Sequence, residues 1–280
     1  MQLTVTKDNE GLQQALTPLV QAGKRIGLVP TMGALHEGHL SLINQAKEEA
    51  DEVVVTIFVN PKQFAPTEDF NKYPRMLERD INKIQEVGAA VVYTPEMDDI
   101  YPPGFSTTVS VGELGKILEG QSRPIFFDGV ATIVTKLFLR ILPHVAVFGE
   151  KDYQQLCVIR RVVSDLDLPI EIIGAPTVRE ADGLAMSSRN AYLSAEERKA
   201  APKMYEVLNN VKDAVTNGAS VKSALGQGIT VLTKAGFKVD YLELREAETL
   251  AEMSQFAAPA RLLTAAWLGS TRLIDNIAVG

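Results

Sequence analysis

The sequence predicts an α/β protein: a Rossmann-like, doubly wound parallel sheet followed by a smaller C-terminal α+β domain. Three observations carry this expectation. Short apolar runs alternate with helical patterns through the first two thirds of the chain, the order that builds a parallel sheet covered by helices on both faces. One of those runs, "EVVVTIFV", is almost continuously apolar, as befits a strand buried on both faces. The pattern then changes after Pro176, where the last three strand-like runs have no long helix between them and read as an antiparallel sheet.

Taken in order, "RIGLVP" leads into a helix at about 38–50, and "EVVVTIFV" follows. A helix near 75–87 precedes "AAVVYTP", one near 129–142 precedes "VAVFG", and one near 152–167 precedes "IEIIGAP". Beyond Pro176, "VREADGLAMSSRN" reads as a polar loop. Helical stretches at about 195–216 and 220–235 come next, then the strands "KVDYLELRE", "ARLLTAAWLG" and "TRLIDNIAV". The boundary falls near 177, giving domains of 1–177 and 178–280.

With 280 residues, 46% of them apolar and 22% charged, the chain has the composition of an ordinary globular protein. No run of eighteen uncharged apolar residues predicts a membrane span, and "MQLTVTKDNE" does not read as a signal peptide. The single cysteine, Cys157, excludes an internal disulfide, suits a cytoplasmic setting and falls in an apolar helical pattern. A net charge of −7 argues against a nucleic-acid surface, so an anionic ligand needs a locally positive site.

Two of the three histidines, His36 and His39, stand in "VPTMGALHEGHLSLINQA" at the carboxyl end of the first long strand. Open α/β sheets bind ligands beyond such ends, and a helix starting near Gly38 points its amides and dipole there, favouring phosphate. Gly33 and Gly38 allow close backbone approach. The plainer alternative is a pair of capping or solvated histidines. A zinc pair does not fit, because Glu37 lies outside an H-E-x-x-H pattern and no Cys/His cluster accompanies it. His144, the third histidine, reads as a loop residue. Neither the dinucleotide-binding glycine fingerprint nor the P-loop pattern occurs.

Three further stretches join the set. "FVNPKQF" puts Asn60 and Gln63 at the same sheet edge. "FGEKDYQQ" repeats the strand-to-helix turn, with Gly149 at the turn, Lys151 as a point charge for phosphate and Asp152 as helix cap or ribose partner. "MSSRN" sets Ser187, Ser188 and Arg189 in a polar loop suited to a terminal phosphate.

Together with "PTMGALHEGH", "EDFNKYPR", "LEG", "FGEKDYQQL" and the terminal "RLIDN", these stretches make the chain resemble the pantoate–β-alanine ligases (pantothenate synthetases) along essentially its whole length. "HEGH" and "MSSR" are also similar to the HIGH and KMSKS elements of class I aminoacyl-tRNA synthetases and related nucleotidylyltransferases. The resemblance implies an ATP-dependent, AMP-forming ligation through a pantoyl adenylate, with the C-terminal domain as a lid and a homodimeric assembly.

Carried over by position, Met32, Gly33, Ala34, Leu35, His36, Glu37, Gly38 and His39 line the ATP site, His39 being the proton donor to phosphate and His36 its partner. Gly149, Glu150, Lys151 and Asp152 bind ribose and phosphates. Met186, Ser187, Ser188 and Arg189 close on the triphosphate, and Val178 lies against adenine. Gln63 and Gln155 hold pantoate, Gln63 also meeting β-alanine. Mg2+ arrives with ATP, held by phosphate and water oxygens, with Asp80 as a candidate direct ligand. One stretch departs from the family: "RPGHF" reads "RPIFF" here, so Ile125 and Phe126 replace a glycine and a histidine. The competing expectations are a nucleotidylyltransferase, which keeps the nucleotide in its product, and a non-catalytic nucleotide sensor.

Overall fold

The computed structural model describes residues 3–65, 68 and 70–280. Of the "EDFNKYPR" motif, Asp69 lies outside the described residues, as do Met1 and Gln2 at the start of "MQLTVTKDNE". The chain forms two compact units, Met1–Glu150 with Gln155–Pro176, and Lys151–Gln154 with Thr177–Gly280. Lys151–Gln154 thus belong with the second unit, whereas the sequence boundary put them in 1–177.

The first unit contains, in chain order, β1 (Thr4–Thr6), α1 (Asn9–Gln21), β2 (Ile26–Thr31), α2 (Glu37–Glu49), β3 (Glu52–Ile57), α3 (Leu77–Val87) and β4 (Val91–Tyr93). After these come the short helices α4 (Met97–Ile100) and α5 (Glu119–Ser122), then α6 (Phe126–Ile141), β5 (Val145–Gly149), α7 (Tyr153–Asp165, its first two residues in the other unit) and β6 (Glu171–Ala175). The strands form one sheet in the order β1-β4-β3-β2-β5-β6, every pair parallel. From β2 onward the sequence winds outward through β3 and β4, then returns to the other side of β2 with β5. That reversal leaves a crevice at the carboxyl ends of β2 and β5, the place where such sheets bind ligands.

Packing explains the pattern. β2 and β3 pair from Ile26↔Glu52 to Thr31↔Ile57, and both are buried along nearly their whole length. Helix α2 covers them with Leu42, Ile43 and Ala46, which join Val29, Val55 and Val92 in one core. The spacing of those helix residues gives a single apolar stripe, as a surface helix requires.

The second unit holds α8 (Ala195–Ala200), α9 (Lys203–Thr216), α10 (Val221–Lys234) and the strands β7 (Phe237–Glu246), β8 (Ala260–Leu268) and β9 (Thr271–Val279). The three strands pair antiparallel in the order β7-β8-β9. Leu208, Val211 and Leu232 from the helices share a core with Leu242, Leu262 and Val279 from the sheet. The helix expected over 195–216 is two helices here, because Pro202 has no amide to continue the ladder and stands as the N-cap of α9. Among the described residues, no helix is long and apolar enough to cross a membrane.

Candidate active site

At the end of β2 the chain must turn sharply to start α2. Gly33 and Ala34 both take positive φ, +82° and +52°, a conformation that costs an alanine something and therefore needs outside support. Asp80 on α3 supplies it. Ala34 N–H donates to Asp80 Oδ2 (2.8 Å) and Leu35 N–H to Oδ1 (2.9 Å). Thr31 adds a second tie, its hydroxyl donating to Thr56 O and accepting from Gly33 N–H. A Cβ on Gly33 would come within 3.1 Å of Asp80 Oδ2, so only glycine fits comfortably.

Asp80 is 1% exposed, with both carboxylate oxygens engaged by backbone amides. It therefore braces the turn between β2 and α2, in addition to standing as the sequence's candidate for direct Mg2+ ligation. Two charge-assisted hydrogen bonds accepted by a buried carboxylate predict that Asp80→Ala costs roughly 1.5–3 kcal/mol of stability. Asp80→Asn does nearly as much harm, because its amide N–H2 faces a backbone N–H. Urea unfolding of the two variants measures this; wild-type midpoints for both would show that the turn holds without Asp80.

The two histidines are the cap of α2. Gly38 N–H donates to His36 Nδ1 (3.2 Å), and His36 N–H donates to His39 Nδ1 (3.3 Å). This is a capping box built from imidazoles, with ring centroids 4.2 Å apart. The plainer alternative from the sequence is thus realised, and it has a chemical consequence. A ring that accepts at Nδ1 is neutral and carries its proton on Nε2. Each cap therefore sets the tautomer of a potential hydrogen-bond donor.

The edge beyond β3 carries Asn60 and Gln63, 0% and 8% exposed. Asn60 caps the single 3-10 turn Pro61–Gln63 by accepting from Lys62 N–H, and its Nδ2 donates to Gln63 Oε1 and to Gly129 O. Gly129 has no room for a side chain, since a Cβ would lie 2.0 Å from Lys62 O. Arg123 holds the same turn from another side, donating to Gln63 O (2.9 Å) and pairing with Glu68 (2.5 Å).

In the departing "RPIFF" stretch, Phe126 lies under the Arg123 guanidinium, 3.7 Å from the ring centroid, and Ile125 is exposed. The histidine's replacement thus packs on the arginine that anchors Gln63. His144 fits its loop reading: its Nδ1 accepts from Ile26 N–H at the starts of β2 and β5, the end of the sheet away from this edge. Cys157 is buried on α7.

β5 ends at Gly149, Glu150 follows it, and Gln155 is half-buried on α7. In the second unit, Lys151 Nζ lies 3.8 Å from Asp152 Oδ1. The stretch read as a polar loop is a short hairpin: Arg179 bridges Ala185, Met186 N–H donates to Val178 O, and Gly183 makes the turn. Val178 and Met186 are thereby neighbours, and Ser187, Ser188 and Arg189 follow at once, with Ser187 Oγ capping the next turn.

The terminal "RLIDN" carried no stated role from the sequence, yet it anchors both ligand-binding candidates of this unit. Asp275 receives a two-pronged ion pair from Arg179 (2.7 and 2.9 Å). Asn276 Nδ2 donates to Lys151 O (2.8 Å), while its Oδ1 accepts from Arg261, which stacks on Tyr153.

These strand-end turns stand in a chain whose residues 4–278 match the family model described as Pantoate-beta-alanine ligase. The chain belongs to the pantoate-beta-alanine ligase family. Pantothenate synthetase from Caulobacter vibrioides is 54% identical over 263 residues, covering 92% of each chain. The Sphingopyxis alaskensis pantothenate synthetase is 52% identical over 99% of this chain and 100% of its own. Among solved structures, the Thermus thermophilus pantothenate synthetase superposes with a TM-score of 0.94 at 46% identity, covering 99% of both chains. The pantoate-beta-alanine ligase of Francisella tularensis, complexed with beta-gamma ATP and beta-alanine, gives a TM-score of 0.84 at 34% identity, covering 99% of this chain and 98% of its own. The expected fold, a parallel sheet with a small C-terminal antiparallel one, is the fold of this family.

Proposed function

We propose that this chain condenses pantoate with β-alanine to form pantothenate, with ATP as co-substrate. The observation that carries the reading is the family match over nearly the whole chain, with relatives above 50% identity. In the first step the pantoate carboxylate attacks the α-phosphorus of ATP, releasing pyrophosphate and leaving pantoyl adenylate. In the second, the amine of β-alanine attacks the acyl carbon and AMP departs. Adenylation is needed because a carboxylate is a poor electrophile until its oxygen becomes a good leaving group.

Each unit brings groups suited to this chemistry. In the first, the Nε2–H groups of His36 and His39 serve as neutral hydrogen-bond donors to phosphate oxygens where charge gathers. Met32–Leu35 shape the turn beside them, with Glu37 and Gly38 opening the helix. Gln63 and Gln155 hold pantoate, amides being able to bind carboxylate and hydroxyls without adding charge beside the nucleophile. Gly149 and Glu150 continue the crevice. In the second unit, Lys151 offers a point charge and Asp152 a ribose acceptor, while Val178, Met186, Ser187, Ser188 and Arg189 receive adenine and triphosphate. Asp80 accepts one backbone amide at each oxygen, so it braces the turn first, and direct contact with Mg2+ would draw on its remaining lone pairs. Mg2+ bound with ATP would be held mostly by phosphate and water oxygens and would offset the charge of the triphosphate. The same family reading extends to a homodimer, which sedimentation of the full chain tests.

ATP–pyrophosphate exchange should require pantoate and proceed without β-alanine, while AMP should appear with the amine present. Recovery of an intact nucleotide conjugate instead would point to a nucleotidylyltransferase. For the pantoate residues, Gln155→Ala should raise the pantoate KM about ten- to a hundredfold, the scale of a lost hydrogen bond to a charged group. The ATP KM should change little; equal losses for both ligands would remove Gln155 from the pantoate site.

A further inference from the structure

Gln63 is held in a way that decides which end of its amide meets a ligand. Two backbone groups of fixed polarity set the orientation. Lys62 N–H can only donate, and it points at Asn60 Oδ1 (3.3 Å); Gly129 C=O can only accept, and it faces Asn60 Nδ2 (3.1 Å). Asn60 therefore has one possible orientation. Its Nδ2 then donates to Gln63 Oε1 (2.9 Å), which fixes Gln63 in turn. The group left to offer is the Gln63 Nε2, a pair of donors, and no acceptor among the described residues engages it.

One side chain reinforces this arrangement from outside. Tyr101 Oη lies 2.9 Å from Asn60 Oδ1, an oxygen that can only accept, so the phenol must donate. Burial pushes the Tyr101 phenol well above its ordinary pKa, keeping that proton in place. The ring is fixed by Phe58 and Phe105 and by the Lys62 ammonium over its face.

We propose that Tyr101 is a positioning residue for pantoate: acting through Asn60, it locks the Gln63 amide with Nε2 toward the substrate, so this subsite selects hydrogen-bond acceptors, carboxylate or hydroxyl oxygens, over ammonium groups. The inference rests on the assignment of Gln63 to pantoate. It explains why a half-buried tyrosine hydroxyl is spent on an asparagine that already has two backbone partners.

The test uses the full chain. Tyr101→Phe keeps the ring and its packing and removes only the donor. The pantoate KM should rise about three- to tenfold, with the ATP KM within twofold and the thermal midpoint close to wild type. Asn60→Asp replaces the donor to Gln63 by a second acceptor, which draws Nε2 away from the substrate, and its pantoate KM should rise further than that of Tyr101→Phe. In a Gln63→Ala background, Tyr101→Phe should have no additional effect on pantoate, because the group it positions is gone. An unchanged pantoate KM in Tyr101→Phe, or the same rise with and without Gln63, overturns the proposal. If Gln63→Ala itself leaves the pantoate KM unchanged, the assignment of Gln63 fails first and the inference falls with it.

Discussion

His39→Ala should lower single-turnover formation of pantoyl adenylate about a hundredfold or more, the scale of a lost acid or oxyanion donor. ATP affinity should fall much less, because Lys151 and the other phosphate-binding candidates remain. The capping geometry makes the size of the loss informative. His39 Nδ1 accepts from His36 N–H, so alanine also removes half of the cap. A lost cap costs roughly 1 kcal/mol, whereas a hundredfold in rate corresponds to about 2.7 kcal/mol. A structural cap alone therefore falls short of the expected effect. His39→Gln restores a donor that does not titrate. With Nδ1 accepting from the backbone, Nε2 is the side left to donate, so hydrogen bonding should account for most of its work, and glutamine should recover a substantial part of the rate. Near-wild-type adenylate formation by His39→Ala would reduce His39 to a cap.

The parts of the fold that sequence made legible were those with one dominant local signal. β2 and β3 show as apolar runs because both faces are buried, and α2 and α10 show through apolar spacing; α9 merged with α8 in the sequence reading because no side-chain cap marks its start at Pro202. β1 and α1 were not anticipated, for physical reasons. β1 is three residues long with two of them exposed, and α1 contains Pro18, a residue with no amide for the helix ladder that reads as a helix breaker, although the turn beyond it is kept by Ala22 N–H donating to Pro18 O. The site was legible as residue types at strand ends, since turns before helices carry glycine, histidine and amide residues in recognisable order. What holds those residues was not. Asp80 reaches Ala34 across 46 positions, and Tyr101 reaches Asn60 across 41. Asp275 meets Arg179 across 96. Such pairings depend on how helices and strands return to one another, which no local pattern records.

The Arg179–Asp275 pair should be the largest single contribution to the hairpin at 177–190. Asp275 is 3% and Arg179 16% exposed at the side chain, and both prongs of the guanidinium are used. Arg179 also stacks on Tyr205 at 3.8 Å and donates to Gly183 O at the hairpin turn. Removing the carboxylate leaves that cation buried without its counter-charge, a loss of roughly 3–5 kcal/mol. Asp275→Ala should therefore destabilise the second unit by about that amount and expose the hairpin to protease. The chain's one tryptophan, Trp267, lies on β8 in the same unit, so its fluorescence follows unfolding of this part of the molecule directly. Replacing both partners should cost less than the sum of the single changes, because the double variant buries no orphaned charge. Additive losses would mean that the two side chains stabilise the unit separately, and that the hairpin bearing Val178, Met186, Ser187, Ser188 and Arg189 is held by its own backbone bridges instead.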